Sequence, residues 1–161
     1  MNPTEIDGLV QAVMDRLFVP LEASGRHVHV TKEQAVTLFG HPLTPERPLS
    51  QPGQFLAKER VSILGPKGKF HNVAVLGPVR KEGQVEISLT DGRILGINPP
   101  IRPSGDIAGS PGILLTTENS TVALPQGVIV AQRHLHLTPQ TARRFGVTDK
   151  QTVKIQTFTD R

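Results

Sequence analysis

The sequence predicts a mainly β fold, two small β-barrels with short capping helices, preceded by one amphipathic helix. Three observations lead there. Turn formers are dense: 14 prolines and 15 glycines stand among 161 residues, about 18% of the chain where roughly 12% is usual, so strands and helices must be short. Between the turns lie brief alternating or β-branched runs, the pattern of strands, and many such runs favour barrels over a doubly wound sheet. Finally, Arg26-His27-Val28-His29-Val30-Thr31 returns as Arg133-His134-Leu135-His136-Leu137-Thr138, so one strand-then-helix unit occurs twice.

Residues 2 to 18 make the clearest helix. Asn2 caps it, Pro3 suits the first helical position, and Glu5 stands where it completes a capping box. Ile6, Leu9, Val10, Val13, Met14 and Leu17 fall on one apolar stripe, and Pro20 stops the helix. That stripe either docks on the chain's own domain or belongs to a detachable segment that binds another protein. In the first copy of the repeat, His27 and His29 alternate with Val28 and Val30, and Thr31 caps an amphipathic segment. Arg60 to Leu64 and Phe70 to Leu76 flank the five-residue turn Gly65 to Lys69 as a hairpin. Gln84 to Leu89 alternates, with Val85, Ile87 and Leu89 on one face and Gln84, Glu86 and Ser88 on the other. Thr90 or Asp91 then caps a short helix through Ile94 and Leu95. Residues 99 to 105, with Pro99-Pro100 and Pro103-Ser104-Gly105, form an irregular stretch suited to a binding loop. A second hairpin brackets Glu118-Asn119-Ser120, and the second copy of the repeat ends in a helix with Pro139 at its first position.

Composition narrows the chemistry. Six Phe, with no Trp or Tyr, leave an aliphatic core. The absence of Cys removes disulfides, thiolate nucleophiles and Cys-ligated zinc, so a metal must be held by His and carboxylates. A net charge of +4 suits an anionic partner, but the basic residues are scattered rather than blocked. No apolar run approaches the roughly 20 residues that span a bilayer, and the amino terminus lacks a secretory pattern. A soluble intracellular protein with no membrane and no nucleic-acid partner is expected.

Residues i and i+2 of a strand share a face, so His27 and His29 point one way, as do His134 and His136. Four of the six His lie in this repeated pattern, and neutral imidazole is the commonest nitrogen ligand for zinc. His41 and His71 lie outside it and read as bystanders. Glu86 is the best carboxylate candidate, because an unpaired carboxylate inside a β-patterned run is costly to bury; the alternative is a solvated face. Arg80 closes Gly77-Pro78-Val79-Arg80, and a fixed guanidinium binds phosphate or carboxylate bidentately, although a surface role is the commoner one. Lys67 and Lys69 sit where ligand phosphates can be met, or serve solubility alone.

The runs S-G-R-H-V-H-V, P-L-S-Q-P-G-Q-F, G-P-V-R-K-E-G-Q-V-E-I-S, S-G-D-I-A-G-S-P-G and G-V-I-V-A-Q-R-H-L-H-L resemble the PduL-type phosphate propanoyltransferases, phosphotransacylases associated with bacterial microcompartments and propanediol degradation. The resemblance implies exchange of an acyl group, propanoyl or acetyl, between coenzyme A and phosphate at two zinc ions. It implies His27, His29 and His134 as ligands of one zinc, Glu86 and His136 as ligands of the second, and Arg80 as the phosphate-holding catalytic arginine. Ala23, Ser24, Gly25 and Lys67 match coenzyme A contacts. It further implies a discontinuous first barrel of residues 20–31 with 126–161, a second barrel of 32–125, and a homo-oligomer. Residues 1–19 would be the encapsulation helix that docks on shell or core proteins and places the enzyme in the microcompartment lumen of the bacterial cytoplasm. Two positions depart from the family pattern: Gly25 stands where Asn is usual, and Asn72-Val73-Ala74 where N-V-R is usual. Relatives also continue beyond the point where this chain ends, supplying a further His and further strands. The residues alone leave open a non-catalytic, metal-stapled scaffold or inactive fragment and, more remotely, a basic barrel that binds nucleic acid.

Overall fold

The computed structural model describes residues 2–19 and 24–157. The chain divides into two compact units, one formed by Met1–Ser24 with Leu135–Arg161 and one by Gly25–His134. In chain order the elements are α1 (Pro3–Leu17), β1 (His27–His29), α2 (Lys32–Phe39), β2 (Pro45–Pro48), β3 (Phe55–Leu64), β4 (Lys69–Gly77), β5 (Gln84–Glu86), α3 (Leu89–Leu95), β6 (Ile101–Arg102), β7 (Ile113–Thr116), β8 (Thr121–Leu124), β9 (Val128–Ala131) and α4 (Pro139–Phe145). The class is mainly β with short helices, as the turn density and strand patterning predict.

In the terminal unit, α1 begins with the capping box read from the sequence: the Glu5 amide donates to Asn2 Oδ1 at 2.9 Å and the Asn2 amide to Glu5 Oε2 at 2.8 Å. Ile6, Leu9, Val10, Val13, Met14 and Leu17 are all exposed. Thr138 caps α4, accepting from the Thr141 amide at 3.1 Å, and Gly146 closes it in the left-handed region. The second H-x-H belongs to no strand: β9 ends at Ala131 and α4 starts at Pro139, so among the described residues the strand expected through His134 and His136 is not formed.

In the other unit nine strands form one curled, half-barrel sheet ordered β6-β9-β5-β1-β4-β3-β7-β8, with β2 on the flank of β3. Among its hairpins, β3 with β4 and β7 with β8 are the two that the sequence patterning predicts, and β2 with β3 adds a third. Strand β1 is only three residues long yet sits mid-sheet, parallel to β4 and antiparallel to β5. Its side chains are buried on both faces. Val28 and Val30 join Ala57, Ile63, Val75, Val85, Leu115 and Val128 in a fully enclosed aliphatic core, where each large side chain removed from water contributes about 1.5–3 kcal/mol. Gly77 is required where β4 meets Phe55 of β3, because a Cβ there would collide with the Phe55 ring. The chain then turns through Pro78 and returns to the sheet as the Arg80 amide donates to the Val30 carbonyl at 2.9 Å.

Helix α3 corrects one local expectation. Ser88, not Thr90 or Asp91, is its cap, and Asp91 is the reciprocal partner: the Asp91 amide donates to Ser88 Oγ at 3.0 Å and the Ser88 amide to Asp91 Oδ2 at 3.2 Å. Strand β5 ends at Glu86, two residues before the cap, so the helix starts earlier than the alternation suggests. Asp91 also accepts from Arg26 Nη2 at 2.7 Å, and the Arg26 guanidinium lies 4.1 Å from the centre of the Phe70 ring, pinning the segment just before β1. Among the described residues no helix is long and apolar enough to cross a membrane.

Candidate metal centre

Register builds the site. In the antiparallel pair of β1 and β5, His27 stands opposite Glu86 and His29 opposite Gln84, so four polar side chains occupy adjacent positions on one face. All four are buried. One donor atom each from His27, His29 and Glu86 lie within 4.8 Å of one another, and the two imidazoles meet edge to face with centroids 5.0 Å apart.

Backbone carbonyls fix which nitrogen of each ring carries its proton. His27 Nδ1 lies 3.0 Å from the Gly25 oxygen and His29 Nδ1 3.2 Å from the Leu76 oxygen. A carbonyl only accepts, so each Nδ1 donates its hydrogen and each neutral ring keeps its lone pair on Nε2, the arrangement of metal-ligating imidazoles. His27 Nε2 is 3.5 Å from Glu86 Oε2. That is long for a hydrogen bond and close to the roughly 3.3–3.4 Å separating two donors that each sit about 2.0–2.1 Å from a tetrahedral zinc. Two imidazoles and one carboxylate, with no Cys, form a nitrogen and oxygen donor set that fits zinc with a coordination position left for a reactant.

A hydrogen-bond network holds the carboxylate. Gln84 Nε2 and Ser104 Oγ each donate to Glu86 Oε1 at 2.7 Å, and Gln84 Nε2 also reaches Ser104 Oγ at 2.9 Å. Arg80 Nη1 donates to the same Ser104 oxygen at 3.0 Å. Burial pushes the Glu86 carboxyl up, but in acid a protonated His27 imidazole beside it, together with the Ser104 hydroxyl, overrides that and brings its pKa down to about 2. For His29, burial first, then the charge of Arg80 and that of a protonated His27, lower the pKa to about 3. Both groups are therefore in their metal-ligating protonation states throughout the neutral range.

The sign of the pH dependence follows. His29 stays neutral in the folded chain down to about pH 3, while the unfolded chain protonates it below its ordinary value near 6.5. Glu86 stays ionised down to about pH 2, while the unfolded chain protonates it below about 4.5. In both windows the unfolded state binds more protons, so acid favours unfolding. Metal-free protein is expected to lose a few kcal/mol of stability as pH falls from about 6.5 to 3, more steeply once below about 4.5. Urea unfolding midpoints across that range check it; a midpoint independent of pH would contradict it.

The other sequence-predicted residues are placed as follows. Arg80 reaches the Glu86 network through Ser104. Ser24 and Gly25 precede β1 and are exposed, with Gly25 supplying the carbonyl that orients His27; Ala23 lies outside the described residues. Lys67 is exposed, its amide donating to the Leu95 carbonyl at 3.0 Å while its stem covers Gly96, which sits at φ +76°. His134 is exposed and is not in the three-residue donor group, yet its Nδ1 lies 2.6 Å from the Gln132 oxygen, the same two-residue-back contact that His27 makes with Gly25. His136 falls in the terminal unit. His41 contacts the Pro42 carbonyl and His71 the Ser62 hydroxyl, away from the donor group. Sequence reasoning missed Gln84 and Ser104 as partners of Glu86. The signals were present: Gln84 shares the face of Glu86, and Ser104 sits in the irregular stretch already marked for binding.

A family model described as phosphate propanoyltransferase matches residues 20–161. A phosphate propanoyltransferase of Listeria monocytogenes is 50% identical over 167 residues, covering 100% of this chain and 78% of that protein. One of Leptotrichia buccalis is 53% identical over 159 residues, 98% of this chain and 75% of the relative, and one of Clostridioides difficile 48% identical over 158 residues, 97% and 76% respectively. The chain is shorter than each of these relatives.

Proposed function

The chain belongs to the phosphate propanoyltransferase family, a family of transferases, and on that premise we propose that it exchanges a propanoyl or acetyl group between coenzyme A and inorganic phosphate at a centre of two zinc ions. The observation that carries this reading is the buried group of His27, His29 and Glu86, whose lone pairs converge beside a tethered arginine. His27, His29 and Glu86, whose ligand atoms lie within 4.8 Å of one another, would hold one zinc, and His134 and His136 of the repeat would serve the second, a regrouping of the ligand division that the resemblance implies. Bound zinc supplies Lewis acidity toward a thioester carbonyl and a partner for the departing thiolate.

Arg80 grips phosphate through its planar fork of N–H donors. A phosphate oxygen attacks the thioester carbon; the C–O bond forms as the C–S bond breaks, and the electron pair leaves on the coenzyme A sulfur. Phosphate is already nucleophilic and thiolate leaves readily, so no acyl-enzyme is needed, and the chain has no Cys to form a thioester of its own. Holding both reactants in line is the main contribution the protein makes. Lys67 and the segment Ala23 to Gly25 contact coenzyme A. The exposed stripe of α1 supports docking of that helix on shell or core proteins, which would place a homo-oligomeric enzyme in a bacterial microcompartment lumen.

Metal analysis combined with a thiol-release assay tests the reading. Bound zinc and thiol release that requires both acyl-CoA and phosphate are expected, with sequential rather than ping-pong kinetics. Zinc without phosphate-dependent release would reduce the metals to structural staples.

A further inference from the structure

We propose that Ser104 is a positioning residue whose single hydroxyl ties the phosphate-binding arginine to the metal-binding carboxylate, so that one loop sets both arms of the reaction. The proposal deepens the function given above and rests on it. A serine hydroxyl has one hydrogen to donate and two lone pairs to accept with. The Gly105 amide donates to Gln84 Oε1 at 2.7 Å, which fixes that side-chain amide with its NH₂ toward the site. Gln84 Nε2 and Arg80 Nη1, which can only donate, therefore fill both lone pairs of Ser104 Oγ, at 2.9 and 3.0 Å. The hydroxyl hydrogen is left for Glu86 Oε1, 2.7 Å away. Every valence of the hydroxyl is used, and each has a forced direction.

The consequence is an orientation. Oε1 of Glu86 takes both donors, from Gln84 and Ser104, and Oε2 faces His27 Nε2. The Arg80 fork is held by the same oxygen that steadies the carboxylate. The loop does not depend on this hydroxyl for its shape. It is closed by the Asp106 amide on the Pro103 carbonyl at 3.0 Å, by Arg102 Nη1 on Asp106 Oδ1 and the Ala108 carbonyl at 3.0 Å each, and by the Gly105 contact to Gln84. Ser104 itself is exposed, so truncation to alanine leaves no core cavity.

The test measures zinc affinity by chelator competition and inorganic phosphate affinity of the zinc-loaded chain by calorimetry, in wild type, Ser104→Ala and Ser104→Thr. Ser104→Ala is expected to weaken zinc by about tenfold or more, within the 10–100-fold range for residues that orient metal ligands, and to weaken phosphate as well. In the thiol-release assay it lowers kcat and raises the phosphate KM while leaving the acyl-CoA KM unchanged. Ser104→Thr, which keeps a hydroxyl, restores both affinities. Unchanged zinc and phosphate affinity in Ser104→Ala, a change in only one of them, or failure of threonine to rescue would each overturn the proposal. Wild type that binds zinc and phosphate but releases no thiol would overturn the proposed reaction instead, with the two affinities still deciding the role of Ser104.

Discussion

Glu86→Gln is expected to weaken zinc binding by about 100-fold or more while leaving the fold intact. Losing a residue that merely orients a ligand costs 10–100-fold, and here a ligand itself is lost together with its charge. The fold survives because the substitution keeps the shape and satisfies every neighbour. The glutamine oxygen in the place of Oε1 still accepts from Gln84 and Ser104, and the new amide N–H points toward the lone pair on His27 Nε2, now 3.5 Å from Oε2. The folded site favours the ionised carboxyl over a neutral group, so the substitution forfeits that share of stability at neutral pH. Chelator competition should report the lost affinity, and a thermal melt of metal-free protein should stay cooperative with a midpoint several degrees below wild type. A Gln variant that still holds zinc as tightly as wild type would take Glu86 out of the ligand set.

Arg80→Lys is the second large effect, and it falls on the other reactant. The Arg80 backbone amide is tied to the Val30 carbonyl and the guanidinium, through Nη1, to Ser104, which holds a planar group beside the Glu86 network. Lysine keeps the charge but presents a point donor on a flexible stem. Losing a charge-assisted hydrogen bond costs about 1.5–3 kcal/mol, or about 10- to 100-fold at about 1.4 kcal/mol per tenfold. The phosphate KM should rise by that factor while the acyl-CoA KM and the zinc content hold. Steady-state kinetics with each substrate varied in turn separates these; an unchanged phosphate KM would move phosphate binding elsewhere.

What could be read in advance was local. The Asn2 and Glu5 capping box, the hairpin about residues 65–68, and the shared face of His27 and His29 depend on neighbours within a few positions, and sequence spacing encodes those directly. Glu86 stood out for the same reason, as a carboxylate inside a strand pattern. Its surroundings did not. Alternation in residues 84–89 leaves a solvated polar face as an alternative; Gln84, Val85 and Glu86 are all buried, because β5 lies between β1 and β9 in the sheet interior. Pairing of β1 with β4 and β5, and the reach of Ser104 to Glu86 across 18 residues, arise from tertiary packing that no periodicity records. The Ser88 cap was missed for a smaller reason: the alternation runs through Ser88 and masks the point where the strand gives way to helix.

Anomalous diffraction at the zinc edge, on crystals of the zinc-loaded chain, addresses the central claim most directly. The account predicts a peak about 2.0–2.2 Å from His27 Nε2, His29 Nε2 and a Glu86 carboxylate oxygen, with both Nδ1 atoms still on their backbone carbonyls. A zinc-loaded crystal with no peak among those three side chains, or with His27 and His29 turned to ligate through Nδ1, would contradict it.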